Sequence, residues 1–209
     1  VNRSVILLDS GASLDVKPKV LFQYAVMGSK LAEALFGMKS PKIGLLNNGE
    51  EESKGRELEK STFKLLNSSS LNFIGNVEGR DFATSKVDVF VTDGFTGNVV
   101  LKTLEGTAKL QQNLISNSLK QNLFKPFLPT VQKALKPVKD QLNPDKTNAS
   151  YLLGVNGLVT IGHGSSKQEA IMNGIKYTNE SINKDFIGKF SDAIKAVSYT
   201  HLTLPTTRL

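Results

Sequence analysis

The sequence predicts an α/β fold: a mainly parallel sheet with helices on both faces (α/β/α), plus a protruding helical hairpin. Three observations carry this expectation. Short, nearly continuous apolar runs of strand length alternate with segments of helical period. Almost every such run ends in a polar, glycine-containing loop, and no internal repeat or low-complexity linker interrupts the rhythm. With 209 residues and 39% hydrophobic content, the chain suits one domain with one sizeable core, expected over residues 1–196.

The elements follow in order. Val5 to Leu8 reads as a strand, and Lys19 to Phe36 as a helix. Lys42 to Leu46 is a second strand, Arg56 to Leu66 a second helix, and Asn72 to Val77 and Val87 to Thr92 two further strands. Continuous apolar strands joined by helical crossovers imply a parallel sheet covered on both faces. Leu158 to Gly162 is the last strand, with a helix beginning near Ser166. The strand-end loops read Asp9-Ser-Gly-Ala, Asn47-Asn-Gly-Glu-Glu, Glu78-Gly-Arg-Asp, Asp93-Gly-Phe-Thr-Gly-Asn and His163-Gly-Ser-Ser. Open α/β sheets bind ligands at such carboxyl ends, so the five loops are expected to converge on one site.

After Asn98 the pattern becomes a long helix with Leu104, Ala108, Gln111, Ile115, Leu119 and Leu123 on one face. A second stripe of Phe127, Val131, Leu135, Val138 and Leu142 follows a break at Pro126 and Pro129, giving a hairpin over about 103–145. Its tip, Leu123 to Leu128, reads LFKPFL. Apolar side chains with Lys125 among them suit a headgroup layer, with Lys120, Lys133 and Lys136 near anionic lipid. Packing within the chain or across a dimer is the alternative for the stripes.

The net charge of +7 is concentrated: residues 101–140 hold seven lysines against Glu105 and Asp140. Such a segment suits an acidic partner. Nucleic acid is disfavoured, because exposed aromatics do not interleave the lysines. Zero cysteines exclude a disulfide scaffold, a thiolate nucleophile and cysteine-ligated metal. No metal site is expected from the acidic residues, and no cofactor: Gly162-His-Gly164-Ser-Ser-Lys167 lacks the last glycine of a dinucleotide fingerprint, and no Walker pattern occurs. No run of about 18 apolar residues is present, so the expected compartment is the cytoplasm. The start at Val1 without Met leads to the expectation of a missing upstream segment. Val197 to Thr206, VSYTHLTLPT, resembles a translated sequencing adapter, so 197–209 is expected to be a non-native tail.

Glycine-flanked amides at Gly164, Ser165 and Ser166 can hold phosphate. Ser166 and Glu169 also have capping-box spacing, so the serine reads either as ligand or as cap. His163 sits where contact with a ligand explains it better than core filling. The Asp93-Gly94-Phe-Thr-Gly97-Asn98 loop repeats the arrangement, with Asn98 as N-cap and Lys102 one turn later, facing either an anion or solvent. Arg80 and Asp81 read as anion contacts or as an ordinary ion pair. Glu50 to Glu52 reads as a solvated first helical turn, followed by Lys54 and Gly55.

Together the loops resemble those of the bacterial phosphate acyltransferases from Val5 to about Lys195. DSGASLDVKP at 9–18 is similar to the family's DVGANVDCKP, with Ser10 and Ser13 as departures. QYAVMGS at 23–29, GLLNNGEEESKG at 44–55, NFIGNVEGRD at 72–81, DGFTGNVVLK at 93–102, and LLGVNG with HGSS within 152–166 complete the order. The resemblance implies a fold like that of phosphotransacetylases and isocitrate-type dehydrogenases, a homodimer, peripheral attachment to anionic membrane, and an acyltransferase reaction. In that reaction inorganic phosphate attacks an acyl-carrier-protein thioester and yields the acyl phosphate used in phospholipid synthesis. It implies catalytic roles for His163, Lys102 and Asn98. Phosphate or substrate contact falls to Asn47, Lys54, Arg80, Asp81, Asp93, Gly94, Gly97, Gly164, Ser165 and Ser166. Membrane or carrier contact falls to Leu123, Phe124, Lys125, Phe127 and Leu128. The family's glycine-rich N-terminal part is not in this sequence, so the piece is expected to hold an incomplete site. The alternatives are a phosphotransacetylase using acyl-coenzyme A and a lipid-surface binding module without catalysis.

Overall fold

The computed structural model describes residues 4–84, 86–119, 127–141, 150–155, 157–162, 164, 166–183, 187, 188 and 190–192. The expectations for 197–209 lie outside the described residues. The chain divides into two compact units, Val1–Asn98 with Ser181–Leu209, and Val99–Glu180.

The first unit holds β1 (Ile6–Leu8), α1 (Pro18–Phe36), β2 (Ile43–Leu46), α2 (Glu57–Asn67), β3 (Phe73–Val77), a 3-10 turn (Gly79–Ala83), β4 (Val89–Val91) and the start of α3 (Gly94–Leu119). Its four strands form one parallel sheet in the order β1-β4-β2-β3. The expected α/β architecture is therefore present. Ile43, Leu45, Val89, Phe90 and Val91 are fully buried, which is why these strands read as unbroken apolar runs rather than alternating ones.

Helix α1 begins at Pro18, whose ring fixes φ near its helical value. It ends at Gly37 in the left-handed region (φ 66°), whose N–H donates to the Glu33 carbonyl. Leu21, Phe22, Ala25, Val26, Leu31 and Ala32 form its buried face. Gly28 permits close contact with β4, since a Cβ there would meet Val89 Cγ1 at 2.5 Å. Helix α1 lies on β1 and β4 and against α2, which covers β3.

The acidic run Glu50–Glu52 does not open a helix. It lies in a loop, and α2 starts only at Glu57. Gly55, at φ 91°, breaks the helical path, and Glu59 accepts the Arg56 N–H at 2.7 Å to begin the helix afresh.

In the second unit, α3 continues to Leu119, followed by α4 (Leu128–Gln141), β5 (Ser150–Leu152), β6 (Val159–Ile161) and α5 (Gln168–Asn183). Helix α4 begins at Leu128, so Pro129 sits in its first turn instead of breaking it. On the expected stripes, Leu104, Ile115 and Val138 are exposed, while Ala108, Leu119, Val131 and Leu135 are half-buried. The strand β5 was not anticipated. It pairs antiparallel with β6, Ser150 opposite Ile161 and Leu152 opposite Val159. The short link between them closes a hairpin but is too short for a parallel crossover. The 158–162 strand is thus paired outside the parallel sheet. On α5, Thr178 Oγ1 is 2.7 Å from Thr160 Oγ1, and the Tyr177 ring lies 5.3 Å from that of Tyr151.

Candidate functional site

Because β1, β2, β3 and β4 are parallel, their carboxyl ends share one edge of the sheet, and Asp9, Asn47, Glu78 and Asp93 follow those ends. Asp9 is buried, and its carboxylate orders its own loop. Oδ1 accepts the N–H groups of Gly11 and Ala12 at 2.9 Å, and Oδ2 that of Ser13 at 2.7 Å. The Ser13 carbonyl then accepts the Gly94 N–H at 2.9 Å, fastening this loop to the first turn of α3. The buried Tyr24 hydroxyl reaches the same place from α1. Burial pushes its pKa up, the Ser13 bond pulls it down, and the Asp9 carboxylate adds to the rise.

Helix α3 starts at Gly94, not after Asn98. Asp93 is the cap: Oδ1 accepts the Thr96 N–H at 2.7 Å, and Oδ2 accepts the Thr96 hydroxyl at 3.0 Å. Asn98 falls inside the helix instead, exposed, with its side chain within 3.8 Å of where a Cβ on Gly11 would stand. Gly97 packs directly on the Asp9 carbonyl.

Arg56, which no sequence motif marks as a site residue, joins this cap. Its Nη2 donates to Asp93 Oδ2 at 2.5 Å, and the same guanidinium forks onto the buried Glu59. Burial alone would raise the Asp93 pKa. The Thr96 amide, the Arg56 guanidinium and the Thr96 hydroxyl outweigh it and hold the carboxyl below its ordinary value. The Glu59 bond, then the Asp93 bond, push the Arg56 pKa up. Glu59 three residues on was the only local signal for Arg56, and nothing local points to Asp93, 37 residues away.

The loop carrying Lys54 is tied down in several places. Asn47 Nδ2 donates to the Lys54 carbonyl at 3.2 Å, and the buried Asn76 Nδ2 donates to the Glu51 carbonyl at 2.8 Å. Lys86, also missed, binds Glu50 at 2.8 Å. Arg80 and Asp81 do not pair with each other. Arg80 reaches Glu78 at 2.5 Å and Glu50 at 3.9 Å, while Asp81 accepts the Glu78 N–H at 2.9 Å as an N-terminal cap. Glu78 is the N-cap of the 3-10 turn and Asp81 the third residue of its capping box, which turns the Asp81 carboxylate back to the Glu78 amide.

The first unit therefore brings Asn47, Lys54, Asp93, Gly94, Gly97 and Asn98 to one sheet edge, with Arg80 and Asp81 after β3. In the second unit Lys102 binds Glu105 at 2.9 Å, and Gly164 lies in an exposed turn. Ser166 Oγ is buried with no hydrogen-bond partner among the described residues and α5 begins at Gln168, so the capping box with Glu169 is not formed. His163 and Ser165 lie outside the described residues, as do Leu123, Phe124 and Lys125. Phe127 is 63% exposed, and Leu128 opens α4. No helix among the described residues is long and apolar enough to cross a membrane.

The edge of the sheet thus offers the exposed Asn98 side chain and the cations Lys54, Arg56 and Arg80 beside buried carboxylates, its loop amides being held by Asp9, Ser13 and Asp93. That inventory suits holding and orienting an anion more than forming a covalent intermediate. The phosphate acyltransferase of Thermosipho melanesiensis is 42% identical over 194 residues, covering 92% of this chain and 58% of that protein. That of Leptospira biflexa is 45% identical over 179 residues, covering 84% and 53%, and that of Bacillus thuringiensis 42% over 195 residues, covering 91% and 58%. The chain spans somewhat over half the length of the curated relatives it matches. A family model described as fatty acid synthesis protein matches residues 1–189, and the chain belongs to that family.

Proposed function

We propose that this chain is the phosphate-handling part of an acyltransferase that moves an acyl group from acyl-carrier protein to inorganic phosphate. A phosphate oxygen attacks the thioester carbonyl carbon, the C–S bond breaks, and the thiolate leaves and takes up a proton, giving acyl phosphate and free thiol. A thiol with a pKa of about 8.5 leaves readily, so positioning and charge stabilisation suffice without a covalent enzyme intermediate. The observation that carries the reading is the shared sheet edge, where the Asn47–Lys54 loop and the Asp93-capped start of α3 meet through Arg56.

In this reading Asn98 and the 163–166 loop bind phosphate, Lys102 or Arg80 offsets its charge, and His163 steadies the developing oxyanion. Leu123, Phe124, Lys125, Phe127 and Leu128 meet an anionic membrane surface or the carrier protein, which the exposure of Phe127 and the surrounding lysines support. The protein then works in the cytoplasm as a homodimer with peripheral membrane contact, on products destined for glycerol-3-phosphate acylation.

The deciding experiment follows acyl-carrier-protein thioester in the presence of this chain joined to a family-like N-terminal segment. Thioester loss that stops when phosphate is omitted supports the reading. Equal turnover of acyl-coenzyme A favours the phosphotransacetylase alternative. Vesicle binding with no phosphate-dependent turnover from either donor favours a lipid-surface module.

A further inference from the structure

The loop that carries Lys54 and the first turn of α3 come from distant parts of the chain. Among the described residues, the Arg56–Asp93 contact is the one hydrogen bond or ion pair that joins residues 47–56 to residues 92–98. The other tethers of the loop run elsewhere: Asn47 to the Lys54 carbonyl, Asn76 to the Glu51 carbonyl, and Lys86 and Arg80 to Glu50. Arg56 stands two residues after Lys54, with Gly55 in the left-handed region between them.

We infer that Arg56 is a positioning residue that clamps the Lys54 loop to the start of α3, so that the lysine and the exposed Asn98 side chain address the same phosphate. This rests on the phosphate reading above. The geometry suits arginine specifically. One planar guanidinium serves Glu59 through Nε and Nη2 and Asp93 through Nη2, two buried carboxylates at once. A lysine ammonium is a single point of charge and cannot reproduce that fork. With the guanidinium removed, both carboxylates are left buried without their cation, and the loop has no bond to α3.

The test uses Arg56→Gln, Arg56→Lys and Asp93→Asn in the full chain, with two readouts. Hydrogen exchange reports on amides 48–55, 57–60 and 94–97, and calorimetry measures binding of inorganic phosphate. The clamp predicts that Arg56→Gln speeds exchange in 48–55 and 94–97 together and weakens phosphate about tenfold, which Arg56→Lys only partly restores. Asp93→Asn leaves Oδ1 to cap Thr96 and so covers the case in which Arg56→Gln does not fold. Its effect on phosphate is non-additive with that of Arg56→Gln if the clamp operates. Faster exchange confined to 57–60, or a lowered melting temperature with unchanged phosphate affinity, reduces Arg56 to a local helix-start contact and overturns the inference. Coupled exchange in a parent chain that binds no phosphate leaves the clamp standing and overturns the phosphate reading instead.

Discussion

A side chain on Gly97 would have to occupy the space of the Asp9 carbonyl oxygen. The first turn of α3 therefore rests directly on the backbone that leaves β1. Gly97→Ala is expected to force the two apart and cost roughly 1–3 kcal/mol, the range for overpacking a filled site. Gly106 provides the contrast on the same helix, because no atom of the described residues lies within 4 Å of a Cβ there. Gly106→Ala is expected to stabilise by roughly 0.5–1 kcal/mol through helix propensity. Chemical denaturation of the two variants checks both signs.

Asp9→Asn tests the self-ordering of the first loop. The carboxylate accepts three amides through two oxygens, and an amide side chain has one acceptor oxygen and turns a donor toward the Ser13 N–H. A loss of about 1–3 kcal/mol is expected from the unsatisfied group, read by the same denaturation experiment.

The depressed pKa of Asp93 gives a pH dependence of definite sign. Its folded value lies below its unfolded value, so its contribution is present above the ordinary carboxylate range and disappears as pH falls through the folded value. Asp93→Ala removes the cap, with an expected cost of about 1–2 kcal/mol at neutral pH. The gap between parent and variant is expected to narrow on acidification. Denaturation midpoints from pH 7 down to pH 3 would show a constant gap if the carboxylate were not the origin.

His163→Ala is expected to lower phosphate-dependent turnover at least tenfold in the chain joined to a family-like N-terminal segment. A change of less than about twofold removes the oxyanion role. Phe127→Asp is expected to reduce sedimentation with anionic vesicles severalfold while sparing turnover of soluble thioester.

Periodicity revealed much of the first unit because its signals are local. Val89–Val91 and Ile43–Leu46 are apolar without interruption since they are buried, and the expected strands Val87–Thr92 and Lys42–Leu46 lie within two residues of β4 and β2. Capping was harder. Asn98 and Asp93 are both good N-caps by type, and α3 begins early where Asp93 caps Thr96, Ser13 accepts the Gly94 amide and Gly97 packs on Asp9. The strand β5 escaped because Ser150–Leu152 is three residues long and gains its partner only from the hairpin with β6. Arg56 was passed over for the same reason of distance: its partner across the site is 37 residues away.

The order β1-β4-β2-β3 also bears on how the chain reaches its fold. Among the described residues β1 has one sheet partner, β4, with Ile6 pairing to Val89 across more than 80 intervening residues. During synthesis β2 and β3 can pair while β1 still waits, and closing so long a loop is slow. A product halted before Val89 would leave the apolar β1 without its β4 partner. The risk of mispairing is thus set by strand order, before any ligand is met.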